Sequence, residues 1–284
     1  MIGGATRLVV LLGDPVSHSL SPRIQNAAFE AAGVDGVYAA MCCSESDLAG
    51  LLRGIARGGG AGNVTVPHKQ AAARLVDEPS ETVLATGACN TFWLEGGRIH
   101  GENTDVAGFR GAVLALLGRS AAGLRVVLHG AGGAARGALV ALASDGAEEV
   151  VVWNRTVGRA ERLVTEVGSR AVRAARSASE LEGSTFDLVV NATSLGLKDG
   201  DALPFDPVKL HDPGAILDLV YRPDETALVR RAREMGIAAA DGGEMLVLQG
   251  ADAFRLWWDR PAPVVAMREA LERSRREASG VARK

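Results

Sequence analysis

Cysteine is rare in this chain: Cys42, Cys43 and Cys89 are the only three in 284 residues, and no two form a CxxC pair. That argues against both a disulfide framework and a zinc site, and it fits a protein kept in a reducing cytoplasm. Positive charge is not in excess either, with a net charge of −3 and a pI near 6.0. No basic field exists to gather nucleic acid. Long apolar runs are missing: the N-terminal block RLVVLLG is broken at Gly13, which is strand length and too short for a signal or membrane segment. Lysine is also scarce. Among 31 Lys plus Arg only Lys69, Lys198, Lys209 and Lys284 are lysines, and Lys69 sits directly after the polar, β-branched stretch NVTVPH. Where arginine is the default cation, a lysine in that place raises the question of a group that must give up its proton, which arginine does not do.

What is present is alternation. RLVVLLG reads as a buried strand, and SPRIQNAAFEAAG as a helix with Ser21 as N-cap, Pro22 in the first turn and Gly33 as stop. VYAAMC, ESDLAGLLRGIARGG and GNVTV continue as strand, helix and strand, with a helix expected from Pro67. TFWLEGGRIHGE reads as two strands around a Gly-Gly turn, and DVAGFRGAVLALLG as a helix ending at Gly118. A second βα series follows from LRVVLHG to GIAAADGG, and the tail from Glu244 is helical. This pattern predicts an α/β fold in two domains, with a boundary inside the helix 105–118 and another near Gly242.

The second series opens on HGAGGAA, where Gly130, Gly132 and Ala135 match G-x-G-x-x-G/A between a strand and a helix. Such a turn lets a pyrophosphate approach the backbone and meet the free N–H groups of a helix N-terminus, so a Rossmann-type doubly wound domain is expected here. The next strand ends in Asn154, with Arg155, Thr156 and Arg159 after it. A carboxylate at that strand end binds the ribose 2′-hydroxyl of NAD; an amide followed by guanidinium groups accepts a 2′-phosphate, which favours NADP(H).

In the first half, short polar groups fall at the ends of the expected strands: Ser19 and Ser21, then Asn63, Thr65 and Lys69, then Asn90, and finally Asn103 and Asp105. Each has an ordinary explanation alone: Ser21 and Asp105 as helix caps, Asn63 and Asn90 as turn formers. Together they offer hydroxyls, amides, an ammonium and a carboxylate, which suits a small, oxygen-rich, anionic molecule rather than a nucleobase or lipid. No His/Cys/Asp spacing suggests a metal.

Over nearly its whole length the chain resembles the shikimate dehydrogenase family, which includes shikimate and quinate dehydrogenases. The blocks GDPVSHSLSP, NVTVPHK, GACNT, GENTD, GAGGAA, NRTVGRAE, NATSLG, DLVYRP and GGEMLVLQGADAF occur in that family's order and spacing. The resemblance implies NADP-dependent, reversible reduction of 3-dehydroshikimate to shikimate, on the route to chorismate and the aromatic amino acids. It implies a discontinuous substrate domain (1–107 plus 243–284) and a cofactor domain (108–242). Lys69 and Asp105 would be the catalytic pair. Ser19, Ser21, Asn63, Thr65, Asn90, Tyr221 and Gln249 would bind substrate. Gly130, Ala131, Gly132, Gly133 and Ala134 would hold the pyrophosphate, Asn154, Arg155, Thr156 and Arg159 the 2′-phosphate, and Leu219 and Gly242 would lie near the nicotinamide. Gln25-Asn26 departs from the His-Asn common at that place. Whether Lys69 shuttles a proton or acts as a fixed charge stays open, as does shikimate against quinate or an aminated analogue, possibly with NAD. A non-catalytic sensor of such ligands is a further alternative. Monomer and homodimer are both compatible; neither a nucleic acid nor a membrane partner is expected.

Overall fold

The computed structural model describes residues 2–211, 213–278 and 280. The chain divides into two compact units, one made of residues 1–108 and 246–284 and the other of residues 109–245. The last residues of the expected substrate domain, 279 and 281–284, lie outside the described residues.

The first unit starts with β1 (Arg7–Gly13), α1 (Ser21–Ala32), β2 (Gly36–Cys42), α2 (Glu45–Arg57) and β3 (Ala61–Val64). It continues with α3 (Lys69–Ala73), β4 (Glu78–Pro79), α4 (Glu81–Thr86), β5 (Thr91–Glu95), β6 (Arg98–Glu102) and α5 (Asp105–Leu117), the last of which crosses into the second unit. The strands form one sheet in the order β2-β1-β3-β5-β6-β4. The sheet is mixed: β5 runs antiparallel to both β3 and β6. The reason is local, since Gly96 and Gly97 at φ 58 and 79 make the two-residue hairpin turn that needs positive φ twice.

β1 reads as a continuous apolar run because both its faces are buried. Val9 and Leu11 pack on one side with Phe29, Tyr38 and Trp257, while Val10 and Leu12 pack on the other with Leu48, Leu52 and Phe92. Each such side chain stabilises the unit by about 1.5–3 kcal/mol. α1 stops where expected, at Gly33 with φ 62, whose N–H turns back to Glu30 and Phe29. Its start is a correction: Ser21 is inside the helix, Leu20 is the N-cap, and no side chain caps it. The helix expected from Pro67 begins at Lys69, because Thr65 to His68 form a turn closed by His68 N–H to Thr65 O at 2.9 Å. Gln25 is buried and donates to Gly250 O at 2.8 Å, which ties α1 to the C-terminal helix around residue 250.

The second unit adds β7 (Arg125–His129), α6 (Gly133–Ser144), β8 (Glu149–Trp153), α7 (Val157–Val167), β9 (Val172–Ala174), β10 (Leu188–Asn191), β11 (Ala215–Asp218), α8 (Ala227–Glu234) and β12 (Ala238–Ala240). Its sheet is parallel throughout, in the order β12-β11-β10-β7-β8-β9. That is the doubly wound order, with its switch point between β7 and β10. Among the described residues the crossovers into β10 and β11 carry only 3₁₀ turns, Ala178–Glu180 and Pro207–Lys209. The tail is α9 (Gly243–Trp258) and α10 (Val264–Ala278), and among the described residues no helix is long and apolar enough to cross a membrane.

Candidate active site

Sheet topology gathers the polar groups of the first unit. Ser19 and Ser21 follow β1, and Thr65 and Lys69 follow β3, which is parallel to β1. β5 runs the other way, so Asn90, just before it, lies at that same end of the sheet; β6 reverses again and delivers Asp105 there. The sheet thus brings segments far apart in sequence to one edge, beyond the carboxyl ends of β1, β3 and β6.

The centre is an ion pair. Lys69 Nζ lies 2.5 Å from Asp105 Oδ2, with the two side chains only 14% and 7% exposed. The other carboxylate oxygen accepts from Asn90 Nδ2 at 2.8 Å. Asn90 is itself fixed: its Oδ1 accepts from Thr104 N–H at 2.8 Å and from the Thr91 hydroxyl at 3.0 Å. Asn63 donates to Thr91 Oγ1 and to Asn90 O at 2.9 and 3.0 Å, and accepts from the Tyr38 hydroxyl at 2.8 Å. One buried network therefore runs from Tyr38 to Lys69. A buried carboxylate is costly unless paired and hydrogen-bonded, and here both oxygens are held. The ordinary explanations for three of these residues are replaced: Asn63 is in a strand, Asn90 orients a carboxylate, and Asp105 uses its oxygens on Asn90 and Lys69 while Asn103 Oδ1 receives its N–H.

The sequence did not single out Tyr38, Thr91 or Thr104. The two threonines stand inside the motifs GACNT and GENTD, but Tyr38 carries no signal beyond a strand position; its role follows from pairing with Asn63 across the sheet. His68, by contrast, is buried and turned to Cys43 O at 2.8 Å, away from the pair.

Several polar groups keep spare capacity. The hydroxyls of Ser21 and Thr65 make no hydrogen bond to a described residue, and Ser19 Oγ only accepts from Ser21 N–H at 3.2 Å. Lysine has three donors and one is used by Asp105. Gln249, on α9, donates to Leu246 O at 2.8 Å. Tyr221 and Leu219 follow β11 and belong to the second unit. Gly242 is also there: a Cβ on it would strike Leu219 O, so only glycine permits this backbone approach.

The second unit's candidate site is mostly backbone. Gly130 has φ 124, and a Cβ there would lie 2.7 Å from Ala192 O across the switch point. Gly132 is exposed with nothing within 4 Å of where a Cβ would be, and it N-caps α6 without a side-chain bond. Gly133 and Ala134 form the first turn, so the N–H groups from Ala131 onward are open to an anion. Beyond β8, Asn154 Nδ2 donates to Thr156 O at 2.9 Å. Arg155 and Arg159 are exposed and form no ion pair with a described residue. No carboxylate occupies this strand end, so these residues fit a dinucleotide carrying a 2′-phosphate. Among the described residues no three His, Cys, Asp or Glu gather as a metal site.

A doubly wound nucleotide-type unit joined to an α/β unit with a buried lysine–aspartate pair defines a class, the two-domain α/β oxidoreductases. Family models place the chain within it. The shikimate dehydrogenase substrate-binding domain matches residues 11–92, the shikimate/quinate 5-dehydrogenase model residues 114–196, and the shikimate 5′-dehydrogenase C-terminal domain residues 242–272. The chain is 44% identical over 278 residues to the shikimate dehydrogenase (NADP(+)) of Rubrobacter xylanophilus, covering 95% of this chain and 97% of that one. The crystal structure of shikimate 5-dehydrogenase from Thermus thermophilus, in complex with NADP(H) and shikimate, superposes with a TM-score of 0.86 at 38% identity, covering 95% of this chain and 100% of that one. Quinate dehydrogenase from Corynebacterium glutamicum, in complex with NAD, superposes with a TM-score of 0.84 at 33% identity over 93% of this chain and 98% of that one. The chain belongs to the shikimate dehydrogenase family.

Proposed function

We propose that this protein catalyses the reversible, NADP-dependent interconversion of 3-dehydroshikimate and shikimate. The observation that carries the reading is the buried Lys69–Asp105 pair, held at 2.5 Å and backed by Asn90. Residues 1–107 with 243–284 form the substrate domain, and residues 108–242 the cofactor domain. The dinucleotide supplies or accepts hydride when bound.

The chain's own residues do the rest. Ser19 and Ser21 donate their hydroxyls to the substrate carboxylate. Thr65, Asn63, Asn90, Tyr221 and Gln249 fix the ring and its hydroxyls. As the carbonyl oxygen gains charge, Lys69 stabilises it and delivers a proton; in oxidation it takes the proton back. Positioned acid catalysis of this type contributes roughly 10²–10⁴-fold. Asp105 holds the ammonium in place and accepts from the same hydroxyl. Gly130, Ala131, Gly132, Gly133 and Ala134 receive the pyrophosphate on backbone N–H groups. Asn154, Arg155, Thr156 and Arg159 receive the 2′-phosphate, and Leu219 and Gly242 line the nicotinamide.

Asn154 with two guanidinium groups that form no ion pair among the described residues favours NADP over NAD, and hence the NADP shikimate reading over an NAD quinate one. The test is absorbance at the nicotinamide band on mixing protein with shikimate or quinate and with NADP⁺ or NAD⁺. Turnover is expected with shikimate and NADP⁺. Turnover confined to quinate and NAD⁺ would reassign the substrate, and none with any pair would leave a ligand sensor.

A further inference from the structure

The second unit's sheet is covered unevenly. Right-handed crossovers place α6 and α7 on one face. On the other lie α8 and the two 3₁₀ turns, packed on Val127, Val151 and Val189. Short turns cannot fill the space a helix would, and a cavity of about 170 Å³ remains between them and the ends of β7, β8 and β10. Its walls include Val127, Val189, Leu181 and Phe205, and its polar member inside is His129. Exposed Glu182, Asp206 and Lys209 also border it.

His129 is only 4% exposed, and its Nδ1 is buried with no hydrogen-bond partner among the described residues. The ring stacks on Trp153 at 4.0 Å and 26°, and meets the edge of Phe205 at 6.1 Å. Burial holds the imidazole neutral at ordinary pH, pushing its pKa down to about 4. An apolar cavity of some 150 Å³ is large enough to take a benzene ring.

We propose that this cavity is a second small-molecule site, which takes an uncharged six-membered aromatic ring bearing one O–H or N–H donor. The donor bonds the His129 imidazole and the ring packs against Trp153 and Phe205. A charged ligand is disfavoured, because the imidazole is neutral and the apolar walls would strip a charge of its water, while Glu182, Asp206 and Lys209 of the lining are exposed to solvent. The lining shares no residue with the glycine turn 130–134 or with 154–159, so the ring and the dinucleotide bind together. The two sites are nonetheless adjacent, since Gly130 N–H donates to Trp153 O at 2.8 Å.

The experiment titrates the full-length protein with phenol and with toluene, followed by calorimetry and protein NMR, with and without saturating NADP⁺. Saturable 1:1 binding is expected, with phenol roughly tenfold tighter than toluene, the worth of one hydrogen bond to a buried acceptor. His129→Leu should erase that preference while toluene still binds. Leu181→Trp should fill the cavity and stop both, with NADP⁺ affinity unchanged as the control for folding. If Leu181→Trp fails that control, the His129→Leu comparison decides. The proposal is overturned by no saturable binding up to about 10 mM, by a phenol preference that survives in His129→Leu, or by displacement of phenol by NADP⁺. None of these readouts requires dehydrogenase turnover.

Discussion

The two units solve recognition in opposite ways. The first buries its polar residues and joins them: Tyr38, Asn63, Thr91, Asn90, Thr104 and Asp105 are all buried and hydrogen-bonded in one network that ends on Lys69. The second presents its candidate cofactor groups as glycine backbone, from buried Gly130 to exposed Gly132, and as the exposed guanidinium groups of Arg155 and Arg159. The difference follows from the task. A reacting proton must be held within a fraction of an ångström of its target, which requires side chains whose rotamers are locked by their neighbours. A phosphate needs charge and N–H groups at a helix end, and tolerates flexible partners.

The largest expected effect breaks the first arrangement at its end. Lys69→Ala should lower kcat by roughly 10²–10⁴-fold. NADPH affinity, measured separately by fluorescence, should stay within twofold; a near-normal kcat would remove Lys69 from the chemistry.

Next in size is a pH effect in the second unit, where His129 and Asp218 are the buried titratable groups among the described residues. Burial lowers His129 from 6.5 to about 4, so the unfolded chain takes up a proton first, and stability falls as pH drops from about 6.5 to about 4. Burial raises Asp218 from 3.8 to about 6, despite its bonds to Thr226, Asn191 and Val220, so its contribution is lost as pH rises from about 3.8 to about 6. The two slopes oppose each other. Removing one exposes the other: in urea unfolding, His129→Leu should gain about 3 kcal/mol over the wild type between pH 7 and pH 4, at 1.36 kcal/mol per pKa unit. A difference independent of pH would mean that His129 takes up its proton at the same pH in the folded and unfolded chain.

Asn90→Ala tests whether the network positions the pair or only fills space. It strips Asp105 and Thr104 N–H of partners, at a cost of about 1–3 kcal/mol in stability. It should lower kcat more than it raises KM if Asn90 chiefly positions Asp105; a loss confined to KM would make it a substrate contact alone. The smallest effect sharpens the contrast from the outer side. Arg155→Ala should weaken NADPH about tenfold, the worth of a charge-assisted hydrogen bond, and leave NADH unchanged. Structure should be untouched, since Arg155 is exposed and unpaired among the described residues. Equal weakening of both cofactors would end the 2′-phosphate argument.

The glycine turn was legible because its constraints are local. Gly130 needs a positive φ and no Cβ, and its strand and helix are adjacent in sequence. The hairpin at Gly96-Gly97 was legible for the same reason. The short strands β4 and β9 were not, since two or three residues carry no period, and the Ser21 cap failed because the turn before it placed Leu20 at the helix start. Lys69 and Asp105 could be named from motifs, but their partnership could not be derived from spacing.

The sequence by itself determined the alternating elements, the glycine turn between β7 and α6 and the absence of a carboxylate after β8, because each depends on neighbours a few residues apart. Tertiary structure alone decided that Asn63 and Tyr38 stand behind Asn90, that Asp105 spends one oxygen on an amide and the other on an ammonium, and that His129 Nδ1 is buried with no partner among the described residues. Those facts depend on strand order and on the direction of β5 and β6. Pairing across a sheet brings residues tens of positions apart within hydrogen-bond distance, and no local pattern records it.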